Sequence, residues 1–195
     1  GQDYYFVREF TPFVASILIK ASKHCKTSGA MDIVLGGVAA LHDEIVWFKR
    51  EAQKWDFSLS DVIVHPSNLN YCRYHQRRRF LFIHQWICCI RFLEGLMESE
   101  VDYSVVMVAL WAIECVYQES FAHCLEEGNK TPNELVDACG RWGSKEFGKY
   151  CEALKDLANR ALEGASCGVQ ELAESTFVRV LQHEIEFWNM SVGLL

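Results

Sequence analysis

The strongest indication of the fold class is the stretch Tyr103–Glu127, which reads YSVVMVALWAIECVYQESFAHCLEE. Its first half, Val105–Ile113, is apolar on every side of a helix, and a helix of that kind has to be surrounded by other helices. The apolar run is much shorter than the ~20 residues that a membrane span needs, so we expect no association with a membrane. The stretch predicts a buried central helix.

Helical periodicity continues on both sides of this stretch. Apolar residues recur every three or four positions over 6–18 and again over 34–48, which is typical of the buried face of a helix. Two further helices are predicted over 145–163 and 169–190. No alternating strand pattern of useful length occurs outside residues 74–91, and 195 residues suit one domain. The sequence therefore predicts an all-α fold, a bundle of about seven helices.

Turn and capping residues follow the central stretch. Gly128 and Asn129 are typical of a helix C-terminus, so we expect the central helix to end at Glu127. Thr131 is predicted to cap a short helix whose first residue is Pro132, with Glu134 completing a capping box.

The segment Tyr74–Arg91, YHQRRRFLFIHQWICCIR, does not fit the helical pattern. It holds four arginines and no acidic residue, and it has no helical stripe of its own. The residues before and after it would join into one amphipathic helix if it were removed. We interpret it as an insertion that interrupts a helix; a basic functional arm is the alternative.

Composition and charge exclude several classes of function. The net charge of −7 argues against nucleic acid as a partner. The nine cysteines are an odd number and form no CxxC pair, which indicates free thiols in a reduced compartment, and we expect a cytoplasmic protein without a metal site. The chain begins at Gly1 within an apparent helix, so we expect that a first helix of the bundle is missing.

One acidic residue lies on an apolar stripe of the last helix. Glu184 falls three or four positions from Val180 and Phe187, whereas Glu186 aligns with Arg179 on the polar side. An ionised carboxylate is costly to bury without partners. Glu184 is therefore either paired for structural reasons or kept there to handle a proton, with a pKa raised by desolvation.

Two further acidic residues point toward the same core. Asp3 precedes an apolar position by one turn, and Glu114 follows the fully apolar run. Three acidic groups suit a cationic or amine-bearing ligand held between the helices of a bundle. Aromatic residues on these helices could stack against a flat ring, although core packing is the alternative for each of them: Tyr71, Tyr117, Trp142 and Phe187.

Four segments of the chain resemble one protein family. They are GQDYYFVREFTPFVAS at 1–16, LHDEIVWFKRE at 41–51, WAIECVYQESFAHCLEEGNKTPNEL at 111–135 and HEIEFWNMS at 183–191. Together they resemble the TenA family (thiaminase II-like), and in particular the plant branch of aminopyrimidine aminohydrolases, also described as seed maturation proteins. The resemblance implies a haem-oxygenase-like helical bundle. It extends over nearly the whole chain, so we expect a single domain, 1–195, interrupted at 74–91.

The resemblance also implies a reaction of thiamin salvage. The expected activity is hydrolytic release of ammonia from 4-amino-5-aminomethyl-2-methylpyrimidine, which yields hydroxymethylpyrimidine; the N-formyl precursor is a possible second substrate. Asp3, in the QDY motif, is implied to contact the pyrimidine, and Glu184, in the E-x-x-F-W motif, is implied to be the acid/base with Phe187 lining the pocket. Three aromatic residues are implied to face the ring, Tyr71, Tyr117 and Trp142, and Phe6 is a further expected binding residue.

The chain departs from parts of the family pattern. Ile113 lies where one branch has a nucleophilic cysteine, so the chain resembles the branch that lacks it. The mechanism implied is hydrolysis in which Glu184 moves protons with assistance from Glu114. Phe6 replaces a tyrosine found in many relatives. No cofactor is expected, and relatives form dimers or tetramers, so we expect a homo-oligomer.

Two other functions are alternatives. One is a truncated, catalytically impaired isoform of the same family that acts only as a binding or interaction protein. The other is an oxygen- or cofactor-handling enzyme related to haem oxygenase or to the proteins of PQQ synthesis. Haem ligation would require an inward histidine. None of the seven histidines lies centrally on a clear apolar stripe: His24, His42, His65, His75, His84, His123 and His183.

Overall fold

The computed structural model describes residues 1–24, 28–72, 92–191 and 193. All regular elements within these ranges are helical, which confirms the all-α prediction. The α-helices are α1 (Gln2–His24), α2 (Ser28–Lys54), α3 (Pro66–Cys72), α4 (Phe92–Met97), α5 (Tyr103–His123), α6 (Asn133–Trp142), α7 (Lys145–Glu163) and α8 (Cys167–Ser191), with a 3-10 turn at Leu59–Asp61. The predicted insertion at 74–91 lies outside the described residues, as residues 73–91 do in full.

The helices form two compact units. The first comprises Gly1–Val101 and Ile185–Leu195, and in it α1 packs against α2, α3 and α4. The second comprises Asp102–Glu184, and in it α5 packs against α6 and α7. The last helix, α8, contributes residues to both units. The expectation of one domain over 1–195 stays a prediction.

The predicted stripe of α1 forms the core of the first unit. Phe10, Phe13 and Ile17 are buried, as their helical spacing predicts. Lys20, one turn further, is also buried, and its Nζ donates hydrogen bonds to the backbone carbonyl oxygens of Glu98 (2.6 Å) and Val101 (2.9 Å). A buried ammonium is tolerated when its donors are satisfied, so Lys20 anchors α1 to the turn that follows α4.

The central helix of the second unit is α5. Of the run Val105–Ile113, every residue is buried except Trp111, which is half-buried. By length and composition α5 could cross a membrane, with a mean hydropathy of 1.3, and half of that window is buried inside the protein. Core helices of globular proteins have the same composition. The expectation of no membrane association stays a prediction.

The end of α5 and the start of α6 differ from the prediction. The central helix ends at His123 rather than Glu127, and α6 begins at Asn133 with Pro132 as its N-cap and no side-chain capping bond. Thr131 is not the N-cap, because its hydroxyl donates to the carbonyl oxygen of Cys124 (2.7 Å). Asn129 Nδ2 donates to the carbonyl oxygen of His123 (2.9 Å). Both polar residues therefore satisfy the last turn of α5, where carbonyl groups lack helical partners.

Gly143, directly after α6, allows a close approach to α5. A Cβ atom at this position would lie 2.6 Å from the backbone nitrogen of Ala122 and 2.7 Å from the carbonyl carbon of Phe121. Only glycine fits against another backbone at that distance. The end of α6 is thus held directly on the backbone of α5.

Candidate active site

Three of the predicted binding residues form one aromatic cluster in the first unit. The ring centroid of Phe6 lies 5.1 Å from that of Tyr71 and 5.4 Å from that of Phe187. Phe10 stacks on Phe6 at 5.4 Å, and Phe92 lies 6.1 Å from Tyr71. These separations fall in the range of favourable aromatic pairs. The structure therefore brings together Phe6, Tyr71 and Phe187, which are widely separated in sequence.

A hydrogen-bond network at the start of α1 positions α3 and its Tyr71. Asn68 is only 1% exposed, and its Nδ2 donates to the backbone carbonyl oxygen of Gln2 (2.9 Å) and to Gln2 Oε1 (3.2 Å). Gln2 Oε1 also accepts from the backbone N–H of His65 (3.1 Å). Asn68 lies one turn before Tyr71, so the network places that ring against Phe6. Sequence reasoning missed Gln2 and Asn68.

Asp3 lies next to this network. It is half-buried in the first turn of α1, where a carboxylate is favoured by the helix dipole. Phe6 follows it one turn later on the same side of α1. Its inward orientation and its role toward a ligand stay predictions.

Two other predicted residues belong to a second aromatic group, in the second unit. Tyr117 of α5 and Trp142 of α6 are both buried, and each contacts Phe121, with ring centroids 5.7 Å and 5.1 Å away. Phe121 was missed by sequence reasoning, although its position one turn after Tyr117 was a usable signal. Phe121 therefore connects two of the predicted binding residues.

The two predicted catalytic acids lie on α5 and on the part of α8 that belongs to the second unit. Glu184 of α8 is only 2% exposed, which confirms its predicted position on the buried stripe. Glu186, two residues later, is exposed, and Phe187, one turn after Glu184, is buried. Glu114 of α5 is half-buried. A carboxyl as buried as Glu184 can bind or transfer a proton with little competition from water.

The cysteines of α5 and α7 are poor nucleophiles. Burial raises the pKa of Cys115 to about 11, with further contributions from the nearby Glu119 carboxylate, whose Oε1 accepts a hydrogen bond from Cys115 Sγ at 3.4 Å. Burial also raises the pKa of Cys151 far above the ordinary thiol value. A thiol must ionise before it attacks a substrate. Among the described residues there is also no group of three potential metal ligands.

An apolar cavity of about 380 Å³ lies between α5, α7 and α8 in the second unit. Trp111 and Phe177 stack in its wall, with ring centroids 5.7 Å apart and 10° between the ring planes. None of the predicted site residues lines it, and sequence reasoning did not anticipate it.

Comparison with known proteins agrees with the resemblance seen in the sequence. The model of the TENA/THI-4/PQQC family matches residues 1–78 and 90–193. A protein of Glycine max described as a probable bifunctional TENA-E protein is 53% identical over 193 residues, which are 99% of this chain and 76% of that protein.

A solved structure is also similar in fold. The X-ray structure of a TenA homologue from Pyrococcus furiosus superposes with a TM-score of 0.78 at 21% identity, covering 96% of this chain and 79% of that one. This likeness confirms the predicted haem-oxygenase-like all-α fold. With the family match and the similarity to the plant protein, the chain belongs to the TENA/THI-4/PQQC family.

Proposed function

We propose that this chain is a hydrolase of thiamin salvage that acts on 4-amino-5-aminomethyl-2-methylpyrimidine. The reaction consumes water, releases ammonia and leaves hydroxymethylpyrimidine. The family match and the plant TENA-E relative support the coarser part of this proposal, a hydrolase that acts on a small pyrimidine in thiamin salvage. The N-formyl derivative of the same amine is a second proposed substrate, hydrolysed to the amine and formate.

The burial of Glu184 carries the proposal. The carboxyl group is 2% exposed on a helix whose neighbouring inward residues, Val180 and Phe187, are apolar. Burying a carboxyl costs free energy, and buried acidic groups are frequent at functional sites. The resemblance to the family also supports the proposal, because Glu184 matches the glutamate of the E-x-x-F-W motif, which is implied to be the acid/base.

Glu184 moves protons in the proposed mechanism. It accepts a proton from a water molecule as the oxygen attacks the exocyclic CH2, and it returns a proton to the departing amine, which leaves as ammonia. The C–O bond forms and the C–N bond breaks, so atoms and charge balance without a cofactor. Glu114 assists the proton transfer. For the formyl substrate, water attacks the formyl carbon instead.

The remaining predicted residues bind the pyrimidine in this proposal. Asp3 accepts hydrogen bonds from the aminopyrimidine, and the rings of Phe6, Tyr71 and Phe187 provide apolar surface to the heterocycle. Tyr117 and Trp142, in the second unit, stay predicted binding residues by the family resemblance alone. The aromatic side chains stabilise the flat pyrimidine ring by stacking, and the carboxylates of the predicted acidic residues favour a substrate that carries an amine.

An ammonia-release assay tests the function. The purified chain is incubated with the aminomethylpyrimidine and, separately, with its N-formyl derivative, and ammonia, formate and hydroxymethylpyrimidine are quantified. We expect ammonia and hydroxymethylpyrimidine in equal amounts. A folded chain, verified by circular dichroism and a cooperative melting curve, that releases no ammonia from the amine would contradict the proposal.

The same samples test the alternative of a binding or interaction protein. One observation favours it: the family match leaves out residues 79–89, which lie inside the predicted insertion and follow α3 with its Tyr71 in the chain. Calorimetric titration of the chain with the amine distinguishes the two functions, because the alternative predicts binding without release of ammonia. Deletion of residues 74–91 would then restore the activity.

Two further expectations accompany the proposed function. We propose a cytoplasmic location, because the described cysteines are free thiols, which suits a reducing compartment. We also propose a homo-oligomer, a dimer or a tetramer. Exposed apolar side chains on α8, among them Leu172 and Val178, support an interface between copies of the chain.

A further inference from the structure

We propose that the cavity between α5, α7 and α8 is a second ligand site, which binds a small aromatic amine in its cationic form. The cavity lies within the second unit, and none of the residues that line it belongs to the proposed catalytic or pyrimidine-binding set. The inference therefore does not depend on the proposed function.

The size of the cavity suits a small molecule. Its volume of about 380 Å³ falls within the ~300–1,000 Å³ that is typical of ligand pockets. Two of the lining residues are buried alanines, Ala158 of α7 and Ala173 of α8. A larger side chain at either position would occupy part of the volume, so these two small residues keep the cavity open.

Hydrogen bonds between the helices hold the walls of the cavity in place. Ser104 Oγ of α5, one turn before the lining residue Val108, donates to the backbone carbonyl oxygen of Ala161 in α7 (2.9 Å). Gln170 Nε2 of α8 donates to the carbonyl oxygen of the next residue of α7, Leu162 (3.0 Å). Both α5 and α8 are thus attached to the last turn of α7. The cavity is therefore formed before a ligand enters, which lowers the cost of binding.

One wall of the cavity is aromatic. The rings of Trp111 and Phe177 are nearly parallel, with 10° between their planes, and both side chains are half-buried. Further apolar surface comes from Val108 and Leu162. A flat apolar ring suits such a wall best, because it buries apolar area and stacks on an aromatic side chain at the same time.

The polar residues that line the cavity favour one charge on the ligand. They are Asn159 of α7 and Gln170 and Glu174 of α8, and all three are exposed, so they lie where the cavity meets solvent. Among the lining residues, all of which fall within the described range 92–191, Glu174 is the one that carries a charge. A cationic group beside this carboxylate is favoured over a neutral or an anionic group. Ring and charge together define an aromatic amine.

Isothermal titration calorimetry with three indoles of similar size tests the proposal. Tryptamine is the cationic probe, tryptophol is its neutral counterpart and indole-3-acetate is the anionic one. The purified full chain is titrated at low salt and about pH 7.5, where a primary amine is protonated. We expect tryptamine to bind with a Kd of about 1 mM or lower. Tryptophol should bind roughly two- to fivefold more weakly, as the loss of one exposed ion pair predicts, and indole-3-acetate more weakly still.

Variants assign the binding to this cavity. Ala173→Leu places a larger side chain in the space and should weaken the binding of tryptamine by about tenfold or more. Glu174→Gln should remove the preference for tryptamine over tryptophol. The matched control is Glu171→Gln, an exposed residue of α8 that does not line the cavity, and it should retain the preference. Because Glu174 is exposed, its variant is expected to fold even if Ala173→Leu does not.

Competition distinguishes this cavity from the proposed active site. An excess of hydroxymethylpyrimidine, the neutral product of the proposed reaction, should leave the Kd of tryptamine unchanged, and so should Glu184→Gln. The proposal is overturned if tryptamine does not bind, if tryptophol binds the wild-type chain equally tightly, if Glu174→Gln keeps the preference, or if hydroxymethylpyrimidine displaces the probe. The ammonia-release assay, in contrast, tests the proposed function alone.

Discussion

The ring of Phe6 in α1 lies against the ring of Phe187 in α8, with centroids 5.4 Å apart and 55° between the planes. The contact joins the first and last helices of the chain within one compact unit. Each of the two rings follows a predicted functional acid by three residues, Asp3 in one helix and Glu184 in the other. Because side chains three positions apart share a face of a helix, Asp3 and Glu184 each lie on the same helix face as one of these two rings.

Replacement of Glu184 by glutamine should abolish most of the proposed activity. The amide keeps the shape of the side chain but cannot exchange a proton, so we expect kcat for ammonia release to fall by about 100-fold or more. Steady-state assays with the aminomethylpyrimidine measure the effect. Glu186→Gln is the matched control, since this residue lies two positions away on the same helix and is exposed. Equal kcat values for the Glu184→Gln variant and the wild type would exclude the acid/base role.

Replacement of Asn68 by alanine should weaken both stability and substrate binding. The change removes two hydrogen bonds to the half-buried Gln2, while Gln2 Oε1 keeps the His65 donor, and each lost bond costs roughly 1 kcal/mol. It also releases α3, so we expect KM to rise more than kcat falls, because Tyr71 loses its position beside Phe6. Urea denaturation and steady-state kinetics measure the two effects.

The control for Asn68 is Asn159→Ala, which removes an exposed amide from α7. It should leave the free energy of unfolding within about 0.5 kcal/mol of the wild-type value, as surface substitutions generally do. A destabilisation by Asn68→Ala no larger than that of this control would show that the network does not hold α3.

Cys115 should be slow to react and dispensable for activity. Burial and the Glu119 carboxylate raise the pKa of Cys115 to about 11, above the ordinary thiol pKa of 9.0. The thiol is therefore neutral below pH 9.0 and ionises only as the pH rises toward 11. Alkylation by iodoacetamide should therefore be slow near pH 8 and accelerate up to about pH 11. Cys167, which is exposed, is the reference thiol and should react much faster at pH 8.

The Cys115→Ser variant completes this test. It should retain the wild-type kcat within about twofold, because a thiol that stays protonated contributes no nucleophile. A loss of about 100-fold would assign the chemistry to Cys115 and contradict the mechanism in which Glu184 moves protons. Mass spectrometry of the alkylated peptides and the ammonia assay provide the two measurements.

Periodicity predicted the elements of this fold better than it predicted their ends. The buried faces of α1 and α5 follow from apolar spacing alone, and the burial of Glu184 follows from its place on such a face. The prediction that Thr131 caps the start of α6 is wrong. A hydroxyl between two helices can bond to the helix before it or to the helix after it, and the structure shows that Thr131 donates to the carbonyl oxygen of Cys124 at the end of α5. Helix propensities do not indicate to which of the two helices the hydroxyl bonds.

The sequence also could not predict polar contacts between residues that are far apart in the chain. Lys20 interrupts the apolar face of α1, and its burial depends on the carbonyl oxygens of Glu98 and Val101, about 80 positions away in the chain. The pairing of Asn68 with Gln2 has the same origin, because it is set by how α3 packs on α1. For the candidate site, the resemblance to the family supplied the residues and the structure supplied their neighbours, such as Phe121.

Two glycines of the α6 region should respond in opposite ways to alanine. At Gly143 an added Cβ would lie 2.6 Å from the backbone of Ala122, so α6 must move away from α5, and we expect a loss of stability of about 1–3 kcal/mol. Gly140 lies within α6, and a Cβ added there would have no neighbour within 4 Å, so alanine should stabilise the helix by roughly 0.5–1 kcal/mol. Thermal denaturation measures both changes.

Because the α5–α6 contact also holds Trp142 beside Phe121, Gly143→Ala should in addition raise KM for the aminomethylpyrimidine, while Gly140→Ala should leave it unchanged. Equal stabilities for the two variants would mean that the close approach of Gly143 to Ala122 contributes nothing to the fold.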